Sequence, residues 1–149
     1  MIRVAVSACL LGENCKYNGR NNYNLDVTKL KDRVEFIPIC PETFGGLPTP
    51  RTPSEIKGNK VFYKTGENVT KNFKLGAQKA LEIIEEKKIK VAILKDGSPS
   101  CGSTYIYDGT FTGATKPGVG LTAKLLKEKG VKVYSEKELE KFIKEILEK

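Results

Sequence analysis

The sequence predicts an α/β fold: a compact, mostly parallel sheet with helices packed on its faces, plus a small accessory β segment. Short apolar runs of strand length alternate along the chain with segments of helical period. The stretches richest in Gly and Pro, 12–24, 41–58 and 95–120, follow the predicted strands, where function lies in sheets of this kind. No internal repeat, low-complexity tract or linker divides the chain, so residues 1–149 read as one domain.

The first strand is expected over residues 2–8, a buried apolar run. A weak helical pattern over Leu25–Lys31 precedes a second strand over Val34–Cys40, where Pro38 lacks a ladder donor and argues for an irregular strand or one near an edge. Phe73, Ala77, Ala80, Leu81 and Ile84 share one face of a helix between about Thr70 and Lys87. The third strand, Val91–Leu94, follows directly. Leu121, Leu125 and Leu126 define a shorter helix closed by Gly130, and Val131–Tyr134 is a fourth strand. Ser135 and Glu138 have capping-box spacing ahead of an apolar stripe through Leu139, Phe142, Ile143, Ile146 and Leu147. Residues 60–65 and 104–111 alternate in a β-like way and suggest an accessory hairpin or edge pair.

Composition narrows the chemistry. The chain contains no histidine, which excludes His-based triads, His-assisted cysteine proteases and the histidine-bearing zinc motifs. Proton transfer falls to Glu, Asp, Lys, Tyr, Cys, Ser or water, and a metal must be held by thiolate, carboxylate or backbone oxygen. The net charge of +8 is spread thinly, with +3 over residues 1–33, 0 over 34–70, +3 over 71–123 and +2 over 124–149. That is the pattern of a solvated surface rather than a nucleic-acid stripe, so an RNA partner is allowed but not favoured. No stretch reaches the ~18 consecutive apolar residues of a membrane helix. Only eight residues precede Cys9, too few for a secretory leader, and the cytoplasm is the expected compartment. Reduced thiols there serve metals or chemistry more often than disulfides. Gly118-x-Gly120 lacks the spacing of a dinucleotide or P-loop motif.

The four cysteines, Cys9, Cys15, Cys40 and Cys101, lie 6, 25 and 61 residues apart, and none of these gaps is a Cys-x-x-Cys motif. Their places in the predicted fold say more. Cys9 ends the first strand, Cys40 ends the second, and Cys101 lies just beyond the third, so a parallel sheet delivers all three thiols to one edge. Three thiolates without histidine suit zinc with an open fourth position, or a [4Fe-4S] cluster with one iron free of protein ligands. A fourth thiolate from Cys15 closes the site and favours a structural or electron-transfer role.

Several motifs are specific enough to name a family. Ser7-Ala8-Cys9-Leu10-Leu11-Gly12 with Tyr17-Asn18-Gly19, Cys40-Pro41-Glu42 leading into Gly45-Gly46-Leu47-Pro48-Thr49-Pro50-Arg51, Leu94-Lys95-Asp96-Gly97-Ser98-Pro99-Ser100-Cys101-Gly102, and Tyr107-Asp108-Gly109-Thr110-Phe111 resemble the thiouracil desulfidase family, long catalogued as a domain of unknown function. The resemblance covers almost the whole chain. It implies a [4Fe-4S] cluster bound by three cysteines, here Cys9, Cys40 and Cys101. The remaining iron then takes sulfur from a small thiolated nucleobase, holds it as hydrosulfide, and C=S becomes C=O without net redox change. In the family pattern the position of Cys15 need not be cysteine, and Asn18 and Asn68 stand where Asp is frequent.

With histidine absent, Glu42, two residues after Cys40, is the candidate general base and acid. Ser98 is the second candidate catalytic residue. Ser98 and Ser100 bracket Pro99 beside Cys101, and either hydroxyl can hydrogen-bond the base or the anion developing on it. Lys95, Asp96 and Arg51 are candidate substrate-binding residues, Arg51 as a donor to a carbonyl or phosphate. Two other functions stay open on the sequence: a sulfur carrier or transferase acting on RNA bases, and a non-enzymatic metal-binding module whose ligands include Cys15.

Overall fold

The computed structural model describes residues 1–148. Four parallel strands form the central sheet: β1 (Ile2–Ser7), β2 (Val34–Ile39), β5 (Val91–Leu94) and β8 (Lys132–Ser135), in the order β2-β1-β5-β8. Pro38 stands on β2, an edge strand, where a missing ladder donor does no harm. Helices cover both faces. Ala5, Ala92 and Leu94 pack under α3 (Thr70–Glu86) and α4 (Leu121–Glu128) through Ala80, Leu81, Ile84, Ala123 and Leu126. Val4, Val6, Val91 and Ile93 meet Val27 of α1 (Leu25–Thr28) and Phe142 of α5 (Leu139–Phe142) on the other face. Strand residues that alternate between two covered faces are buried at every position, which is why β5 is wholly buried.

The local signals act where they stand. Asn24 caps α1 by accepting the Val27 N–H at 3.0 Å. Gly130, at φ 85°, lets the Val131 N–H reach back to the Leu126 carbonyl at 3.0 Å and close α4. The capping box after β8 is half formed. Glu138 accepts the Ser135 N–H at 2.8 Å, but the Ser135 hydroxyl takes Lys137, so helix begins only at Leu139 and continues as a π-helical turn, Ile143–Leu147.

The accessory β structure is two hairpins rather than one. β3 (Ser54–Lys57) pairs antiparallel with β4 (Lys60–Tyr63), and β6 (Tyr105–Tyr107) with β7 (Thr115–Pro117). The alternating segments 60–65 and 104–111 do not pair with each other; each folds back on its own neighbour. A separate small core, built on Phe73, Val61, Ile56, Leu47 and Ile106, ties both hairpins to α3.

One contact fixes the short helix α2 (Pro41–Phe44). Gly45 and Gly76 let it lie backbone to backbone on α3: a Cβ on Gly76 would stand 1.8 Å from the Pro41 carbonyl oxygen, and one on Gly45 would stand 2.0 Å from that of Asn72. Asn72 also donates to the Gly45 carbonyl at 2.9 Å. Among the described residues no helix is long and apolar enough to cross a membrane.

Candidate active site

The chain runs from β1 outward to β2, then returns to the far side of β1 for β5. Strand order therefore reverses between β1 and β5, and at such a point the loops diverge and leave a crevice beyond the carboxyl ends. A cavity of about 410 Å³ lies there, within the range of small-molecule sites. Cys9, Cys15, Cys40 and Cys101 all line it.

Each thiol arrives on a loop that leaves a strand. β1 passes into a 3-10 turn, Ala8–Leu11, closed by Gly12 at φ 98°, and this turn carries Cys9. The Asn22 amide donates to Cys9 Sγ at 3.4 Å. β2 ends at Cys40, which starts α2 with Pro41 in the first turn. Cys101 lies beyond β5 in the loop 95–104. Ser7 joins the outer loops across the crevice, its hydroxyl oxygen accepting the Lys95 N–H at 2.9 Å and its side chain hydrogen-bonding Cys101.

Burial pushes the Cys101 thiol up to about 12, and burial also raises Cys9. Cys40 is lowered, chiefly by a hydrogen bond from Cys15, which is itself raised by that bond. Three thiolates facing one cavity disfavour one another's ionisation, so a cationic centre is what such a donor set requires. Among the described residues no three His, Cys, Asp or Glu side chains converge as a single ion demands. Soft thiolate donors suit zinc and iron–sulfur groups alike.

A second wall, adjoining the thiols, is a hydrogen-bonded chain with a defined direction, and Ser100 Oγ lies 3.7 Å from Cys101 Sγ. Ser98 Oγ accepts the N–H groups of Ser100 at 3.1 Å and Cys101 at 3.0 Å, which fills both lone pairs. Its single proton must point outward, and the nearer acceptor is Ser100 Oγ at 2.9 Å rather than Glu42 Oε2 at 3.4 Å. Ser100 then donates to Glu42 Oε2 at 3.0 Å. Ser100 is buried, whereas Ser98 is half-buried at the cavity. The order is therefore Ser98, Ser100, Glu42.

Two of the sequence-predicted substrate-binding residues, Arg51 and Asp96, line the cavity and are also bonded to the protein around them. Arg51 has a side chain only 3% exposed. Its Nε and Nη2 lie 3.0 Å from Glu42 Oε1, Nη2 also donates to the Cys15 carbonyl at 2.9 Å, and Nη1 serves Pro48 and Thr49. Four guanidinium hydrogen bonds and the Glu42 ion pair thus tie Arg51 to the protein around the cavity. The Asp96 carboxylate is held by the loop around it. Oδ1 accepts the N–H groups of Gly97, Ser103 and Thr104, each at 3.0 Å, and Oδ2 takes the Thr104 hydroxyl. Burial opposes its ionisation, but these donors outweigh it and the carboxyl is lowered. Asp96 organises the loop that carries Ser98, Ser100 and Cys101.

Lys95 does face the cavity. Burial would strip its proton, yet Glu136 at 3.1 Å more than reverses this and the amine is raised. Ser7, Asn22 and Glu136 were not among the sequence-predicted residues. Ser7 alone carried a signal, as a polar residue inside an apolar strand.

A model of the family described as 2-thiouracil desulfurase matches residues 4–138, which include every residue of both walls. YbbK, an uncharacterized protein of Bacillus subtilis (strain 168), is 42% identical over 146 residues, covering 91% of this chain and 97% of its own. Among solved structures, the [4Fe-4S]-dependent thiouracil desulfidase TudS superposes with a TM-score of 0.87 at 41% identity, over 95% of each chain. The matched span, the shared fold and the thiol-lined crevice at the strand ends agree: the chain belongs to the 2-thiouracil desulfurase family.

Proposed function

We propose that this chain is a [4Fe-4S]-dependent desulfidase that converts a thiolated pyrimidine base, such as 2- or 4-thiouracil, to the oxo base and hydrogen sulfide. Residues 1–149 act as one catalytic unit, with Cys9, Cys40 and Cys101 holding the cluster. When bound, the cluster supplies an iron without a protein ligand, a soft Lewis acid suited to thiocarbonyl sulfur. The observation that supports this reading most is that thiols from three neighbouring strands and the Ser98–Ser100–Glu42 chain line a single crevice, Ser100 Oγ lying 3.7 Å from Cys101 Sγ.

The chain's own residues then divide the work. A water oxygen bonds to the ring carbon as the carbon–sulfur bond breaks, and both sulfur electrons leave with sulfide, so no oxidant or reductant enters. Glu42 receives one water proton, directly or through the Ser100 hydroxyl that Ser98 orients, and returns it to the departing sulfur; the second water proton follows as the new C=O forms, completing hydrogen sulfide. Arg51 fixes the Glu42 carboxylate in place. The Lys95 ammonium offers a donor to the ring, and Asp96 holds the loop on which the serines sit. Ser100 and Glu42 stand beside the cysteines, Ser100 Oγ 3.7 Å from Cys101 Sγ, so the soft sulfur site and the proton-transfer groups act on the same thiocarbonyl.

Anaerobic purification with iron and acid-labile sulfide counted, followed by sulfide release from several thiopyrimidines, tests this directly. Cys9→Ser, Cys40→Ser and Cys101→Ser should each lose the visible cluster absorbance and the activity. Cys15→Ser should keep both nearly intact. Zinc in place of iron, or loss of the cluster in Cys15→Ser as complete as in the other three, overturns the proposal.

A further inference from the structure

Lys95 is held by a residue that does not line the cavity. β5 pairs in parallel with β8, Leu94 opposite Ser135, so the residue after each strand stands beside the other at the same sheet edge. Glu136 uses this position. Its side chain is 8% exposed, its Oε1 accepts the Asp96 backbone N–H at 2.9 Å, and its Oε2 lies 3.1 Å from Lys95 Nζ. Lys95 Nζ also donates to the Asp96 carbonyl at 2.8 Å. An ammonium has three N–H donors. Two are committed to the wall by these contacts, which leaves one for the crevice that Lys95 lines.

A flexible lysine loses side-chain entropy when it is fixed, and a surface ion pair seldom repays this. Here the same carboxylate grips both the Lys95 side chain and the backbone of the next residue, so ammonium and loop are set as one unit. That arrangement is wasteful for a merely stabilising pair and fitting for a donor that must meet a ligand atom.

We propose that Glu136 is a positioning residue for the desulfidation reaction, holding the Lys95 ammonium so that its third N–H donates to an oxygen or nitrogen acceptor on the pyrimidine ring. The inference rests on the desulfidase reading and extends it to a residue outside the crevice. Its signature is a loss of substrate binding rather than of chemistry, because the ring acceptor is present in ground state and transition state alike.

The test uses anaerobically loaded wild-type enzyme and the Glu136→Ala, Glu136→Gln, Lys95→Met and Glu136→Ala/Lys95→Met variants, with iron content and urea midpoint measured for each. Glu136→Ala and Lys95→Met should each raise KM for the thiopyrimidine about tenfold, the worth of one charged hydrogen bond, while kcat stays within about threefold. The double variant should be no worse than Lys95→Met alone, because both substitutions remove one function. Glu136→Gln, which keeps an acceptor oxygen without the charge, should fall between wild type and Glu136→Ala. An unchanged KM in Glu136→Ala, a fall confined to kcat, or additive effects in the double variant overturns the inference. Should Glu136→Ala fold poorly, Glu136→Gln decides, and a wild-type KM there counts against the inference. If the wild-type enzyme releases sulfide from none of the thiopyrimidines, the desulfidase reading fails first, and that failure is seen before any variant is compared.

Discussion

Replacing Gly76 by alanine tests how the site is held. In an isolated helix this change stabilises by about 1 kcal/mol, because alanine loses less backbone freedom on folding. Here the new Cβ would stand 1.8 Å from the Pro41 carbonyl oxygen and 2.7 Å from its carbon. Ordinary contact begins near 3.4 Å, so α2 must retreat from α3 by about 1.6 Å. Both atoms belong to backbone, so no side-chain rotation relieves the clash. Overpacking of this kind costs about 1–3 kcal/mol, and with the propensity gain subtracted a net destabilisation of up to about 2 kcal/mol is expected. The retreat also carries Cys40 and Glu42, which flank Pro41, away from the other two loops. Urea denaturation of Gly76→Ala, with iron per chain and sulfide release on the same preparation, gives three readouts. Midpoint, iron and activity should all fall. A variant as stable as wild type, with full iron, would show that α2 is not pressed onto α3 and that the two glycines have no part in placing Cys40.

Glu42→Gln should keep the cluster and bind substrate while turnover falls by about 10²–10⁴, the worth of a positioned general base; undiminished single-turnover rates place the base elsewhere. Arg51→Lys should destabilise the fold by about 3 kcal/mol or more in urea, because a lysine cannot reproduce the fork and leaves Glu42 poorly paired in a half-buried site. Asp96 governs the acid limb. Its folded value lies below the unfolded 3.8, so its contribution is full above about 3.8 and is lost as pH falls through the lowered value. Asp96→Asn should lower stability at neutral pH by about 1–3 kcal/mol and flatten that limb; a curve parallel to wild type at low pH excludes the assignment.

Much of this was legible in the sequence. The four main strands and the helix over residues 70–86 declared themselves by period, and the placing of Cys9, Cys40 and Cys101 at strand ends required only that the strands be parallel neighbours. What stayed hidden depends on where side chains turn. Arg51 in a Pro-rich loop looks like a free donor until its bonds to Glu42, Cys15, Pro48 and Thr49 are found. Asp96 beside Lys95 looks like a ligand-facing acid until three backbone donors are found converging on it. Glu136 sits in a turn dense with charge, where no single carboxylate stands out. Gly45 and Gly76 are ordinary loop and helix glycines in one dimension, and only the crossing of α2 over α3 gives them a purpose. The partner of residues 105–107 was missed because β7 is exposed at all three positions and carries no apolar alternation.

The strand order has a consequence for how the protein acquires its cofactor. Cys9 and Cys40 come together once β1 and β2 pair, but Cys101 joins them only after α3 has been crossed and β5 has docked on the opposite side of β1. A segment that stops before the loop after β5 lacks Cys101, so on the proposed reading the cluster is expected to enter a sheet that has already formed, unlike the metal of a zinc finger. Binding then favours only the native form, adding to its stability in proportion to the supply of clusters. Iron starvation would therefore leave a folded apoprotein awaiting its cluster rather than an unfolded chain.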